Sequence, residues 1–182
     1  EYSLLPGSTS PRAQREVTKG KPSGRTSEIQ RLIGRSLRAA FDLNAIGQRT
    51  IAIDADVINA DASTRVASIC GGYVAVYNAL LKLKDKGLIK SIPLIEPVAA
   101  VSVGIVNGEL MLDLSYVEDS TAEVDCNVVM NKSGDLIELQ MTAEGKPFKQ
   151  ETVDKLVKLA EKGIKEIIAR QIEITEKVMS LS

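Results

Sequence analysis

Histidine is absent from all 182 residues of this chain. That removes histidine acid–base catalysis, the Ser-His-Asp arrangement and histidine-ligated metals from the possible chemistries. Cysteine is scarce: Cys70 falls on the apolar face of a helical pattern, Cys126 inside a strand pattern. Two isolated thiols without metal-ligand spacing read as reduced and structural, which favours the cytoplasm. No continuous apolar run approaches the length of a membrane span and no secretory leader is legible, so no membrane partner is expected. Net charge is close to nil, at −1, which argues against indiscriminate nucleic-acid binding.

What is present is unevenly placed. Residues 1–38 hold eight basic side chains against Glu1, Glu16 and Glu28, whereas residues 91–131 hold seven acids and neither Lys nor Arg. The split points to an anionic partner at one end and a cation, or a basic surface, at the other. With 44% apolar and 26% charged residues, the composition is that of a globular chain of one domain with a substantial core.

The chain is organised around Asn59-Ala60-Asp61-Ala62-Ser63-Thr64-Arg65. Before it, Ile51, Ile53, Ala55 and Val57 alternate as in a half-buried strand over 50–58. After it, Val66, Ile69, Cys70, Tyr73, Tyr77, Leu80 and Leu81 keep helical spacing until Gly87. Ser63-Thr64-Arg65 therefore stands where a strand passes into a helix. Free amides, a helix dipole and an arginine fork at that point favour an anion. The same pattern fits an ordinary helix cap followed by a surface arginine.

Residues 1–5 read as a short strand. Residues 6–23 carry three prolines and two glycines, too long for a plain connection, so the segment is functional or disordered. Its Arg12, Arg15, Lys19 and Lys21 suit phosphate contacts, and a solvated flexible loop accounts for them equally. Ser27-Glu28-Ile29-Gln30 matches a capping box and predicts a helix start there, which leaves Arg25 in the preceding loop beside Gly24. Arg31, Arg35 and Arg38 form one basic stripe, the usual pattern of a wet helix face.

Two apolar strands, 98–106 and 109–115, flank Asn107-Gly108, the strongest short hairpin signal. The first is apolar nearly throughout and is expected to be buried on both faces. Further strands follow over 122–130 and 136–142, then a helix over 150–179. The pattern predicts an α+β fold, a mostly antiparallel sheet with helices packed on one side. Asp119 falls on the loop entering a strand and Asp125 inside it, between apolar neighbours. A carboxylate so placed needs a partner. Oxygen chemistry suits Mg²⁺ or Mn²⁺ completed by water, and a salt bridge serves as well.

Three stretches taken together resemble ribonuclease PH. They are Gly24-Arg25-Thr26-Ser27-Glu28-Ile29-Gln30-Arg31-Leu32-Ile33-Gly34-Arg35, Asp54-Ala55-Asp56-Val57-Ile58-Asn59-Ala60-Asp61, and Glu118-Asp119 with Val124-Asp125-Cys126-Asn127-Val128. The resemblance implies a fold like domain 2 of ribosomal protein S5 and a homo-oligomeric, hexameric ring. The implied activity is phosphate-dependent 3′-to-5′ exoribonuclease action, a reversible nucleotidyl transfer that trims transfer RNA precursors and ribosomal RNA. By position, Arg25, Ser63, Thr64 and Arg65 bind inorganic phosphate as co-substrate. Asp119 and Asp125 hold the metal, Mg²⁺ or Mn²⁺, and act as catalytic residues. Arg12 and Arg15 grip the RNA.

Two departures from the family pattern stand out. Ala62-Ser63 occupies the place of Gly-Gly, where glycine lets the backbone approach an anion. The family's amino-terminal strands precede the match to Glu1-Tyr2-Ser3 and are missing from the 1–182 domain, which predicts an open sheet edge. The alternative function is a non-catalytic, RNA-binding ring subunit of an exosome-like assembly, and such subunits typically lose site arginines or aspartates. A core domain of polynucleotide phosphorylase is the enzymatic rival.

Overall fold

Six strands and four helices form within residues 1–180, the part described by the structure, a computed structural model. The first two strands, β1 (Tyr2–Leu4) and β2 (Ala55–Val57), run parallel, with Tyr2 opposite Ala55 and Leu4 opposite Val57. The alternation expected over 50–58 holds, since Ile51, Ile53, Ala55 and Val57 all pack on the core. Only the last part of it is strand, because β1 offers three pairing residues and a ladder extends no further than its partner.

The second sheet has the order β4-β3-β5-β6 and is antiparallel throughout. Its strands are β3 (Val98–Val106), β4 (Glu109–Leu112), β5 (Val124–Asn131) and β6 (Leu136–Ala143). The Asn107-Gly108 turn has positive φ at both positions, 52° and 78°, the geometry that closes a two-residue hairpin. β4 stops at Leu112, short of the expected Ser115. There Asp113 takes a φ of 60° and donates its amide to Ser102 O, which turns the chain towards the site.

Burial of β3 on both faces decides where the helices go. Ala99, Val101 and Val103 meet Leu156, Ala160, Ile164 and Ile168 of α4 (Gln150–Ser180). Val98 and Ala100 belong to the opposite cluster, with Ile29, Leu32, Ile33 and Leu37 of α1 (Gly24–Ala40) and Ile69 and Tyr73 of α2 (Thr64–Asp85). The α+β class and the antiparallel sheet match the expectation. The helices occupy both sides rather than one, because a strand without a polar face needs cover on both.

By length and composition α2 suffices to cross a membrane, which continuous apolar runs alone did not reveal. Its Val66, Ile69, Tyr73, Val76, Leu80 and Leu81 are instead buried in the core. At the edge of β3 not covered by β4, Cys70 Sγ lies 3.2 Å from Ala100 O and 3.3 Å from Ala100 N.

α1 begins one turn earlier than the capping box predicts. Ser23 is its N-cap, accepting from Thr26 N at 3.1 Å, and Glu16 Oε1 accepts from Thr26 Oγ1 at 2.9 Å. Two consequences bear on the site. Arg25 lies in the first helical turn, not in the preceding loop, and Glu28 is released from capping to face α2. The segment 6–23 is ordered around two short 3₁₀ turns, Pro6–Ser8 and Glu16–Lys19. In the basic stripe, Arg35 forms an ion pair with Glu138 of β6 at 2.7 Å.

Candidate active site

α2 opens on two consecutive left-handed residues, Ala62 at φ 57° and Ser63 at φ 48°. Non-glycine residues rarely adopt that conformation, so two in succession mark a turn held by its surroundings. The clamp is the Ser63 hydroxyl, which lies 2.6 Å from Ser102 Oγ and 3.4 Å from Leu114 O. Ser102 is buried in β3 and also accepts from Leu114 N at 3.1 Å. No side chain caps the helix, and Ser63 O takes the amides of Val66 and Ala67. The hydroxyl of Ser63 thus points into the protein. A glycine pair would reach the same geometry without strain but without this anchor.

Thr64 hydrogen-bonds through Oγ1 to the buried Tyr2 hydroxyl at 2.7 Å. Arg25, Ser63, Thr64 and Asp119 line one cleft of about 500 Å³, together with Tyr116 and with Pro11 of the basic segment. Three separate stretches of the resemblance therefore converge on one space. Arg12 and Arg15 are exposed and follow Thr9, Ser10 and Pro11 of the cleft wall, but neither lines it.

Arg65 takes another position. Its Nη1 donates to Gln140 Oε1 at 3.0 Å and to Glu28 Oε1 at 3.2 Å, while Gln140 Nε2 donates to the same Glu28 oxygen at 2.9 Å. α1, α2 and β6 are closed together through this arrangement, and the Arg65 side chain is only 18% exposed. It is not among the residues that line the cleft. Its charge is nevertheless felt at Asp125.

Asp125 projects from β5 beside Asn127, whose Nδ2 lies 3.5 Å from Oδ2. The β3 residue opposite is Gly104, where a Cβ would sit 2.5 Å from Val124 O, so no side chain fits there to cover the carboxylate. Burial first, and then the charge of Asp119, raise the Asp125 pKa above its ordinary value; Glu144 adds to the rise, while Arg65 and Arg25 oppose it. Two carboxylates that repel one another are relieved by a cation as well as by the nearby arginines. These two hard oxygen donors fit Mg²⁺ or Mn²⁺. Among the described residues no cluster of three His, Cys, Asp or Glu forms a metal cage.

Asp119 ends the short helix α3 (Tyr116–Asp119), and its amide donates to Ser115 O. Glu118 Oε2 accepts from the amide and hydroxyl of Ser115 at 2.8 and 2.9 Å, which holds the Glu118 pKa below its ordinary value. Asp61 Oδ1 accepts from Tyr116 N at 2.8 Å and ties this turn to the loop before α2. The sequence patterns placed none of Tyr2, Asp61, Ser102, Glu28 or Gln140 in the site. Glu28 was hidden by its fit to a capping box, and Ser102 by its place in an apolar run. Burial pushes the Cys70 thiol up to about 11 and that of Cys126 to about 12, which disfavours the thiolate.

Comparison with known proteins shows the family. Residues 1–82 match domain 1 of the 3′ exoribonuclease family and residues 96–163 match its domain 2. Ribonuclease PH of Syntrophomonas wolfei subsp. wolfei is 59% identical over 171 residues, covering 94% of this chain and 72% of that protein. The Archaeoglobus fulgidus exosome, solved with RNA bound to the active site, shares the fold with a TM-score of 0.72 at 18% identity, over 93% of this chain and 68% of that one. With that identity sustained along nearly its whole length, the chain belongs to the ribonuclease PH members of the 3′ exoribonuclease family.

Proposed function

We propose that this chain is a phosphorolytic 3′-to-5′ exoribonuclease that trims transfer RNA precursors, and ribosomal RNA, and releases nucleoside diphosphates. The observation that carries the reading is the convergence of Arg25, Thr64 and Asp119 on one cleft at the uncapped start of α2. Inorganic phosphate binds there, between the Arg25 guanidinium and the first amides of the helix. Tyr2 orients the Thr64 hydroxyl towards it. Arg65 supplies positive potential without lining the cleft, its fork held by Glu28 and Gln140.

A phosphate oxygen attacks the phosphorus that links the last two nucleotides. The bond from that phosphorus to the 3′ oxygen of the penultimate ribose breaks. The terminal nucleotide leaves as a nucleoside 5′-diphosphate, and the 3′ oxygen recovers the proton that hydrogenphosphate gives up. Such a transfer needs positioning and charge stabilisation more than covalent help, which suits a site without histidine. Asp119 and Asp125 would hold Mg²⁺ or Mn²⁺, which when bound neutralises charge on the transferred group. Arg12 and Arg15, just outside the cleft, grip the RNA upstream of its end.

A homo-oligomeric ring, a hexamer by the family resemblance, is the assembly this reading expects. A cytoplasmic setting belongs to the same reading, in keeping with two free thiols and an RNA substrate. A non-catalytic ring subunit has no need of clustered arginines and aspartates, so the enzyme reading is preferred. The test is a short RNA incubated with phosphate and Mg²⁺. Nucleoside diphosphates that appear only when phosphate is present support the proposal; monophosphates without phosphate, or no product at all, overturn it.

A further inference from the structure

Tyr116 stands apart from the other tyrosines. Tyr2, Tyr73 and Tyr77 are buried, at 5%, 1% and 8% exposure, whereas Tyr116 is 63% exposed. A lone exposed aromatic is ordinary on a protein surface. This one lines the same cleft as Arg25, Thr64 and Asp119. Its backbone is fixed at both polar groups, the amide to Asp61 Oδ1 at 2.8 Å and the carbonyl by Ser120 N at 3.0 Å. Those bonds hold the root of the ring three residues before Asp119. A flat π-face with a pinned backbone, beside a phosphate-binding helix start, is what stacking on a nucleobase requires.

We propose that Tyr116 is the stacking platform for the base of the 3′-terminal nucleotide and takes all four bases nearly alike. The inference rests on the reading of this cleft as the site for phosphate and the RNA end. The expectation of little base preference comes from the lining. Reading of a base edge uses Asn, Gln, Asp, Glu or a free arginine fork. Among the described residues the cleft is lined by no Asn, Gln or Glu; its one carboxylate, Asp119, is taken up by the metal in that reading, and its one arginine, Arg25, by the phosphate. The apolar Pro11, Ala60 and Ala62 supply wall without donors from their side chains. Stacking needs a π-face and nothing of the base edge, so it tolerates any sequence.

The experiment compares the full chain with Tyr116→Ala and Tyr116→Phe. It measures anisotropy of a labelled oligoribonucleotide without phosphate, ending either in a normal nucleotide or in an abasic one. Alanine is expected to weaken binding of the normal end by roughly tenfold, and phenylalanine to leave it unchanged. The abasic end should weaken binding to the parent by a similar factor and cost the alanine variant nothing more. The four terminal bases should agree within a few-fold.

Additive losses from the variant and the abasic end would overturn the inference, because Tyr116 would then act on something other than the base. Failure of the phenylalanine variant to rescue binding would do the same, as would a change of assembly size in the alanine variant on sizing, which marks a subunit contact. A parent chain that neither binds nor phosphorolyses RNA refutes the reading of the cleft itself, and this inference falls with it. A parent that is active while Tyr116→Ala binds RNA equally well refutes only the platform.

Discussion

Ser63 and Ser102, 39 residues apart, meet hydroxyl to hydroxyl at 2.6 Å and hold a left-handed turn beneath the start of α2. Ser102 also accepts from Leu114 N, so one buried side chain ties the turn before α2 to the segment that leads to Asp119. Ser102→Ala leaves that amide and the Ser63 hydroxyl short of a partner. A loss of about 1–3 kcal/mol in stability is expected, together with a higher KM for phosphate. Denaturant titration and phosphorolysis against phosphate concentration measure the two effects, and an unchanged KM would separate this bond from the site. Ser63→Gly should cost less stability, since glycine adopts a φ of 48° without strain.

Arg25 and Arg65 have different tasks, and substitution should separate them. Arg25→Lys puts a single ammonium where a bidentate fork faced the cleft, and a charge-assisted hydrogen bond is worth about 1.5–3 kcal/mol. Phosphorolysis should fall roughly tenfold or more, by that arithmetic. Arg65→Lys breaks the link to Glu28 and Gln140 as well, and should also lower stability. Gln140→Leu keeps the arginine but removes its nearest acceptor. Its expected signature is a raised KM for phosphate with kcat little altered. Equal losses in KM and kcat for Gln140→Leu would mean that its role is not positioning.

Asp119→Asn and Asp125→Asn change shape little while removing charge. Each should reduce turnover by something like 10² to 10³, in line with loss of one transition-state stabiliser. The assembly should keep its size. A second readout is independent of turnover: Mg²⁺ should raise the melting temperature of the parent by linkage and fail to do so in either variant. Equal Mg²⁺ shifts in all three proteins would remove the metal from this pair.

Arg12 and Arg15 lie outside the cleft and should act through the RNA backbone. Their joint replacement by Ala should weaken transfer RNA precursor binding and make its salt dependence shallower, by about 0.7 in log–log slope per lost contact on a single strand. Turnover of a short oligonucleotide should suffer less. If both substrates lose equally, the segment supports the fold of the site instead of the RNA path.

Elements whose patterns are local follow directly from the order of the residues. Asn107-Gly108 prescribed its hairpin, because a two-residue turn with positive φ admits few residues. The spacing from Leu156 to Ile168 prescribed α4, and the apolar run of β3 prescribed burial on both faces. Family motifs located Arg25, Thr64, Asp119 and Asp125 by their resemblance alone. Which distant groups meet depends on the packed fold. Glu28 fits a capping box in sequence, but the cap went to Ser23, whose hydroxyl meets the Thr26 amide, and that freed Glu28 for Arg65. Ser102 reads as one more small residue in a buried strand until Ser63 and Leu114 converge on its hydroxyl. Contacts across 39 to 112 residues of chain leave no periodic trace, since nothing in a local pattern records which distant donor fills a given acceptor. Packing of both faces of β3 brings those partners together, so that Arg65 is bound to Glu28 and Gln140 while Arg25 lines the cleft.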